Sequence, residues 1–331
     1  MESTDCPLCG SSNREEAETL HWKEEDLIYA ICRECGLKYM SRRPTAAWYA
    51  QFYRDEFWQE SRLQKRSYDP GSTTKSTMAW QEDGLSSDEL EKRVTRSRKR
   101  QIWRAQRIWR ITEKFSELGP ESTVLEIGAG WGKFLELVMK ETGCRAAAVE
   151  PSEMARQYIS ETLGVSLAAR SFEEIGGLDD FKGKTDLVVC SHVLENTIDP
   201  IDNLRNIRNL LSQQGIVYID TCNLYYNNAI NPYHPYVFCP ETLRSILLAA
   251  GLEPVYMEHE GHPARVSRIS DIQKAKYLAV VARKGASKKM IDRPEMVVSM
   301  AQEKGKILMS RGRKLHALKK IVKRLFPFAA R

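Results

Sequence analysis

No run of the chain approaches the roughly 18 consecutive apolar residues that a membrane-spanning helix needs. The opening residues, Met1-Glu-Ser-Thr-Asp-Cys6, carry neither a basic n-region nor an apolar h-region. A secretory signal is therefore not read there, and the expected location is cytoplasmic. Eight cysteines among 331 residues are too few for a disulfide scaffold. In a reducing compartment, clustered cysteines point to metal and scattered ones to packing. There is no internal repeat. Acids are missing from two segments: residues 92–110 hold nine Lys or Arg and residues 304–331 hold ten. The net charge is only +6, so the rest of the chain stands near −13 and the positive charge is local. A composition of 42% hydrophobic and 28% charged residues excludes a collagen-like, fully disordered or multi-span membrane chain.

What is present begins with four cysteines. Cys6-Pro-Leu-Cys9-Gly and Cys32-Arg-Glu-Cys35-Gly are two Cys-x-x-Cys knuckles with 22 residues between them. Two thiolate pairs at this spacing supply the four tetrahedral ligands of a closed, structural Zn²⁺ site, and the glycine after each pair lets the backbone reverse. The segment between them fits the hairpin of a zinc ribbon. Cys144, Cys190, Cys222 and Cys239 are dispersed in or beside apolar runs, where core packing is expected. Residues 61–91 are rich in Ser, Thr and Gly and read as a linker or long surface loop. From about 92 to 284 amphipathic helix patterns alternate with the short apolar runs TVLEIG, AAAVE, TDLVVCS, GIVYID, EPVYM and YLAVVA. That alternation predicts an α/β domain with a largely parallel sheet covered on both faces.

The richest stretch is Thr123-Val-Leu-Glu126-Ile-Gly128-Ala-Gly130-Trp-Gly132-Lys133. A strand runs into a glycine turn and then a helix, whose N-terminal amides point at the same place. Lys133 stands where a dinucleotide fingerprint would have its third glycine. The spacing instead resembles the first motif of class I S-adenosylmethionine (SAM) dependent methyltransferases. That resemblance implies a cofactor site at Glu126, Gly128, Ala129, Gly130 and Gly132. It is sustained in order by Glu150-Pro151 after the second strand, whose carboxylate can accept both ribose hydroxyls. Ser171, Phe172 and Glu173 follow at a third strand tip bordering the adenine. The segment Thr185–Pro200 then resembles the family's fourth strand, with Ser191 and His192 at its end and Asn196 where many members have histidine. The implied fold is a Rossmann-like class I methyltransferase sheet, mostly parallel with an antiparallel last strand, preceded by a small N-terminal zinc ribbon. Ribbon plus core is similar to methyltransferases of sugar, polysaccharide and natural-product pathways. The expected organisation is a ribbon over 1–43, an aromatic connector and flexible linker over 44–91, the methyltransferase domain over 92–285 and a basic tail with an amphipathic helix over 286–331.

SAM already carries an electrophilic methyl, so the protein needs an in-line nucleophile and often a base. The loop Asn223–Cys239 is rich in Tyr, Asn and His, and Tyr233-His234 resembles the base-bearing segment of sugar C-methyltransferases. His234 is therefore a candidate base, helped by Tyr225, Tyr226 or Tyr233, with a lid over the cofactor as the alternative. His192 is placed near the methyl, as a catalytic or a supporting group. No motif for adenine-amino or pyrimidine-C5 methylation follows the fourth strand.

The basic segments leave the partner open. Over 92–118, Ile102, Ala105, Ile108, Trp109, Phe115 and Leu118 approximate one apolar helix face, the rest being basic. This reads either as the helix before the first strand with a solvated basic face, or as a phosphate-contacting surface for RNA or a phosphorylated carrier. In the tail, Leu315, Leu318, Val322 and Leu325 sit at helical spacing among Lys and Arg. Such a helix suits an anionic membrane surface, at the inner face, or RNA, or docking on its own domain. The expected acceptor is a small molecule or glycan, with RNA the alternative.

Overall fold

The computed structural model describes residues 1–22, 24–55, 87–224, 230–259, 262–263 and 277–287. The tail helix, Tyr225 and Tyr226 lie outside these, as does the expected linker up to residue 86.

The N-terminal strands are β1 (Glu2–Ser3), β2 (Arg14–Trp22), β3 (Glu25–Cys32) and β4 (Lys38–Arg43), followed by helix α1 (Ala46–Asp55). β2 and β3 form the hairpin between the knuckles, and β4 pairs antiparallel with β3. Each knuckle closes on its glycine: Gly10 N–H donates to the Cys6 carbonyl at 2.8 Å and Gly36 N–H to that of Cys32 at 2.9 Å. A buried ion pair, Lys38 to Glu18 at 2.7 Å, ties β4 to β2 across the sheet.

Helix α2 (Ser87–Thr112) precedes the second sheet. It begins inside the segment expected to be linker, because polar composition does not separate a loop from the polar first turns of a helix. β5 (Thr123–Ile127), α3 (Lys133–Thr142), β6 (Arg145–Val149), α4 (Glu153–Glu161), β7 (Ser166–Ala169), β8 (Thr185–Ser191), α5 (Pro200–Leu210) and β9 (Leu211–Cys222) follow. After them come β10 (Tyr236–Val237), α6 (Pro240–Ala249), β11 (Leu252–His259), β12 (His262–Pro263) and β13 (Tyr277–Lys284). The large sheet runs β12-β11-β13-β9-β8-β5-β6-β7. β7, β6, β5, β8 and β9 are parallel; β13 enters antiparallel between β9 and β11, and β11 is antiparallel to β13. This is the expected mostly parallel sheet with its antiparallel edge.

The period-2 alternation of the strands divides the core. Leu125, Val188, Cys190, Val217, Ile219 and Val280 face one side; Val124, Leu187, Val189, Ile216, Tyr218 and Val281 face the other, under α2 and α3. The first side is continuous with ribbon residues Cys6, Leu8, Ala30, Leu37 and Tyr39. Cys190 and Cys144 are buried in these cores, and Cys239 in a third cluster with Leu27, Tyr29 and Met40 of the ribbon, as expected of packing cysteines.

The ribbon is joined to the large domain by a strand. β10, from the segment after β9, pairs antiparallel with β4 in the register Tyr236↔Tyr39 and Val237↔Lys38. The Arg43 guanidinium donates to the Tyr236 hydroxyl at 2.7 Å and the Ile198 carbonyl at 3.2 Å. Met40 N–H donates to the Pro235 carbonyl at 2.7 Å.

Candidate active site

Ligands of open α/β sheets bind at the C-terminal ends of the strands. Here those ends surround a cleft of about 740 Å³. The β5–α3 turn forms its floor. Gly128 and Gly130 hold φ of 71° and 54°, a left-handed conformation that glycine adopts without strain. A Cβ on Gly128 would collide with the Val193 side chain. Glu126, Gly128, Ala129, Gly130, Glu150, Pro151, Ser171, Phe172, Glu173, Ser191 and His192 all line this cleft. Gly132 does not. It N-caps α3 at φ 62°, and a Cβ there would meet Leu163 at 2.8 Å, so it serves the α3–α4 packing.

Glu150 is 2% exposed. Its carboxylate accepts from Gly130 N–H at 2.8 Å and Ser152 N–H at 2.9 Å, leaving a lone pair on each oxygen. Burial pushes its carboxyl up to about 7 against those two hydrogen bonds. Burial, with Glu150 adding to it, also raises the Glu126 carboxyl well above its ordinary range, while Arg104 draws it back. Glu126 Oε2 is buried without a partner. A glycine turn with left-handed backbone and no room for a Cβ at Gly128, an unpaired buried carboxylate oxygen and a second acid at the next strand tip fit the cofactor of a methyl transferase.

His192 stands at the end of β8 with φ 55°, the one non-glycine residue with positive φ among the described residues. Strained backbone of this kind concentrates at functional sites. Its Nδ1 lies 2.9 Å from Glu195 Oε1 and its Nε2 3.9 Å from Asp220 Oδ1. Burial alone would lower the imidazolium; Asp220 foremost, with Cys222 and Glu195, outweighs it and lifts His192 to about 10. Asp220 also accepts from Ser191 Oγ at 2.8 Å and lies 3.6 Å from the Arg107 guanidinium, which pairs with Glu258 at 2.9 Å.

Tyr233 and His234 are not among the cleft residues. The Tyr233 ring stacks on Phe52 at 4.9 Å and meets Trp22 edge-on at 6.3 Å. His234 Nδ1 lies 2.7 Å from Asn231 Nδ2, and the His234 carbonyl accepts from the Tyr29 hydroxyl at 2.6 Å. Both belong to the joint between ribbon and large domain. That joint carries α1 over the cleft. Tyr49 and Tyr53 line it, while their hydroxyls donate to the Pro232 and Tyr233 carbonyls at 3.0 and 3.1 Å.

Sequence reasoning missed these roof residues, and it missed the inner face of α2. Gln101, Arg104, Ala105 and Ile108 line the cleft, and Arg107 is buried. Ile102, expected in the apolar face, is 49% exposed. The one signal was the 3.6-residue spacing of Ala105, Ile108 and Ile111, read in a register that Ile102 pulled off.

In the ribbon, the Sγ atoms of Cys6, Cys9, Cys32 and Cys35 lie within 4.8 Å of one another. Cys6 to Cys35 is 3.5 Å and Cys9 to Cys32 is 3.4 Å. Tetrahedral Zn–S bonds of about 2.3 Å place sulfurs about 3.8 Å apart, so the set fits one zinc ion with all positions filled by protein.

Sheet order, glycine turn and paired strand-tip acids together define a Rossmann-like methyltransferase fold. Residues 100–257 match the family described as a methyltransferase domain. That stretch of the chain carries a methyltransferase domain. Among solved structures it is similar to the Burkholderia thailandensis 1,6-didemethyltoxoflavin-N1-methyltransferase, with 20% identity, 81% of this chain and 100% of the other covered, and a TM-score of 0.47. It is similar to a SAM-dependent methyltransferase from Archaeoglobus fulgidus, with 21% identity, 56% and 94% covered, and a TM-score of 0.45. The CcbJ methyltransferase from Streptomyces caelestis aligns at 16% identity, 55% and 90% covered, with a TM-score of 0.44. No curated protein matches the chain.

Proposed function

We propose that this enzyme transfers the SAM methyl group to a small-molecule or glycan acceptor held between the β8–β9 strand ends and α1. The roof carries this reading. Ala46, Ala47, Tyr49, Ala50 and Tyr53 turn α1 onto the cleft. The ribbon is spent on holding that roof, so the space beside the cofactor is bounded and of small-molecule size.

In this reading Glu150 takes the ribose hydroxyls, Ser171, Phe172 and Glu173 border the adenine, and Gly128, Ala129 and Gly130 bring backbone against the cofactor. Bound SAM supplies a sulfonium-activated methyl. His192, charged and fixed between Glu195 and Asp220, orients the acceptor and is not its base. Tyr233 and His234 seat the roof, and Cys6, Cys9, Cys32 and Cys35 hold a structural zinc. Location at the inner membrane face is a further element of the proposal; among the described residues no helix is long and apolar enough to cross a membrane.

The test is methyl-labelled SAM incubated with the protein and, separately, the nucleotide-sugar and glycan fraction or total RNA of the source cells. Label in the first fraction is expected; label confined to RNA overturns the reading. Glu150→Ala should weaken S-adenosylhomocysteine binding in calorimetry by about 1.5–3 kcal/mol, as for lost charged hydrogen bonds.

A further inference from the structure

Among the described residues, two groups of His, Cys, Asp and Glu have ligand atoms that all lie within 4.8 Å of one another. One is the ribbon cluster. The other is His192, Glu195 and Cys222, at the C-terminal ends of β8 and β9. Local structure explains how these residues meet. The His192 N–H donates to the Asp220 carbonyl at 2.9 Å, which draws the end of β8 onto β9. Cys222 follows Asp220 by two residues and so projects to the same side of the strand. The φ of 55° at His192 turns the chain back, and the 3₁₀ turn Leu194–Asn196 brings the Glu195 carboxylate to 2.9 Å from Nδ1. Tyr277, the cross-strand neighbour of Cys222, meets the imidazole edge-on at 5.0 Å. Glu195 is 1% exposed, and its second oxygen, Oε2, is buried without a partner. An unpaired buried oxygen asks for an explanation, and the cofactor assignment supplies none for this one.

We propose that His192, Glu195 and Cys222 bind a divalent ion of the zinc or cobalt(II) class, and that its free coordination position takes a hydroxyl or thiol of the methyl acceptor. An imidazole, a carboxylate and a thiolate together suit such a borderline ion, whereas magnesium and calcium are held by oxygens. The ring faces two carboxylates, Glu195 at 2.9 Å and Asp220 at 3.9 Å, and a dication answers that charge more fully than the single proton of an imidazolium. In the metal-free protein His192 holds that proton; the ion takes its place. The four ribbon thiolates close their site, but three protein ligands leave a position open, as in catalytic centres. His192 lines the cleft and Cys222 is half-buried, so the open position is reached from the acceptor side. A bound cation lowers the pKa of a coordinated hydroxyl or thiol as it does that of water. The acceptor's proton leaves to solvent, its lone pair forms the bond to the methyl carbon, and the C–S bonding pair stays on sulfur as S-adenosylhomocysteine departs. The ion thereby does the work of a base. This use of the site rests on the proposed function, while the ion site itself rests on the geometry of the three side chains.

The open site is expected to lose its ion in purification while the closed ribbon keeps its zinc, so the test is a titration of the zinc-bearing protein with cobalt(II). One cobalt per chain should bind without release of zinc, with a thiolate-to-cobalt absorption band. Cys222→Ser should remove that band. His192→Gln and Glu195→Gln should each weaken cobalt binding by at least the roughly 10–100-fold that loss of an outer-shell partner costs. X-ray absorption on the wild type gives a second readout that needs no variant: a cobalt shell of nitrogen and oxygen with a single sulfur is expected. A shell of four sulfurs, a band that survives Cys222→Ser, or no cobalt uptake beyond exchange with zinc would overturn the site. Methyl transfer to the small-molecule and glycan fraction should rise when cobalt or zinc is added, and transfer indifferent to the metal would overturn its catalytic use. Label confined to RNA, with the cobalt shell as described, would overturn the proposed acceptor and leave the ion site standing.

Discussion

At the scale of single residues, the acids of the cleft tie cofactor binding to pH. In the proposed binding mode Glu150, raised by burial to about 7, accepts ribose hydroxyls better when ionised, so the bound state favours loss of its proton. Affinity for S-adenosylhomocysteine should therefore rise with pH through about 7 and then level off, and Glu150→Gln should bind more weakly and flatten the rise. The Glu126 carboxyl, raised by burial and by Glu150, is expected to act in the same direction, so that cofactor binding releases protons. Calorimetric heats compared in buffers of different ionisation enthalpy would count them, and a count of zero would remove both acids from the site. These two residues were legible in the sequence because an acid inside or at the tip of an apolar strand is conspicuous. Arg104, which lines the cleft from α2, was not. An arginine in an acid-free stretch looks solvated until the helix that bears it is docked, and that docking is a tertiary event.

At the scale of elements, α1 is the informative case. Phe52 is 1% exposed and stacks on both Trp48 and Tyr233, so it links the roof to the loop after β9. Phe52→Ala should cost about 3–5 kcal/mol of stability, as for a large aromatic removed from a core. In the folded fraction it should raise the acceptor KM while the S-adenosylhomocysteine Kd stays near wild type. In the glycine turn, Gly128→Ala combines left-handed strain of about 1–3 kcal/mol with a collision against Val193. A lower unfolding midpoint together with weaker cofactor binding is expected. The strands of the large sheet were legible as continuous apolar runs, as buried parallel strands are. β10, two residues long, was not. Tyr236-Val237 has no pattern of its own and becomes a strand only because β4 offers an edge.

At the scale of the whole molecule, ribbon and methyltransferase sheet share one core face and one β-ladder. The four cysteines announced a ribbon correctly by spacing, and the glycine turn with its acids announced the sheet. Their union could not be read from either, since it depends on Tyr29 meeting Asn231 and Arg43 meeting Tyr236, each across about 200 positions of sequence. Elemental analysis should find one zinc per chain. Chelation should lower the thermal stability of the entire protein in a single calorimetric transition; two separate transitions would mean that the ribbon is an independent unit. The β4–β10 pairing also bears on synthesis. A chain leaving the ribosome presents β4 long before residues 236–237 exist, so the ribbon waits with an open edge while the cleft is being built beneath it. Closing that edge is a long-range contact of the kind that slows folding. The roof over the acceptor is thus among the last parts to be set, and a stall in translation before residue 236 would leave a strand edge that chaperones or other chains can find.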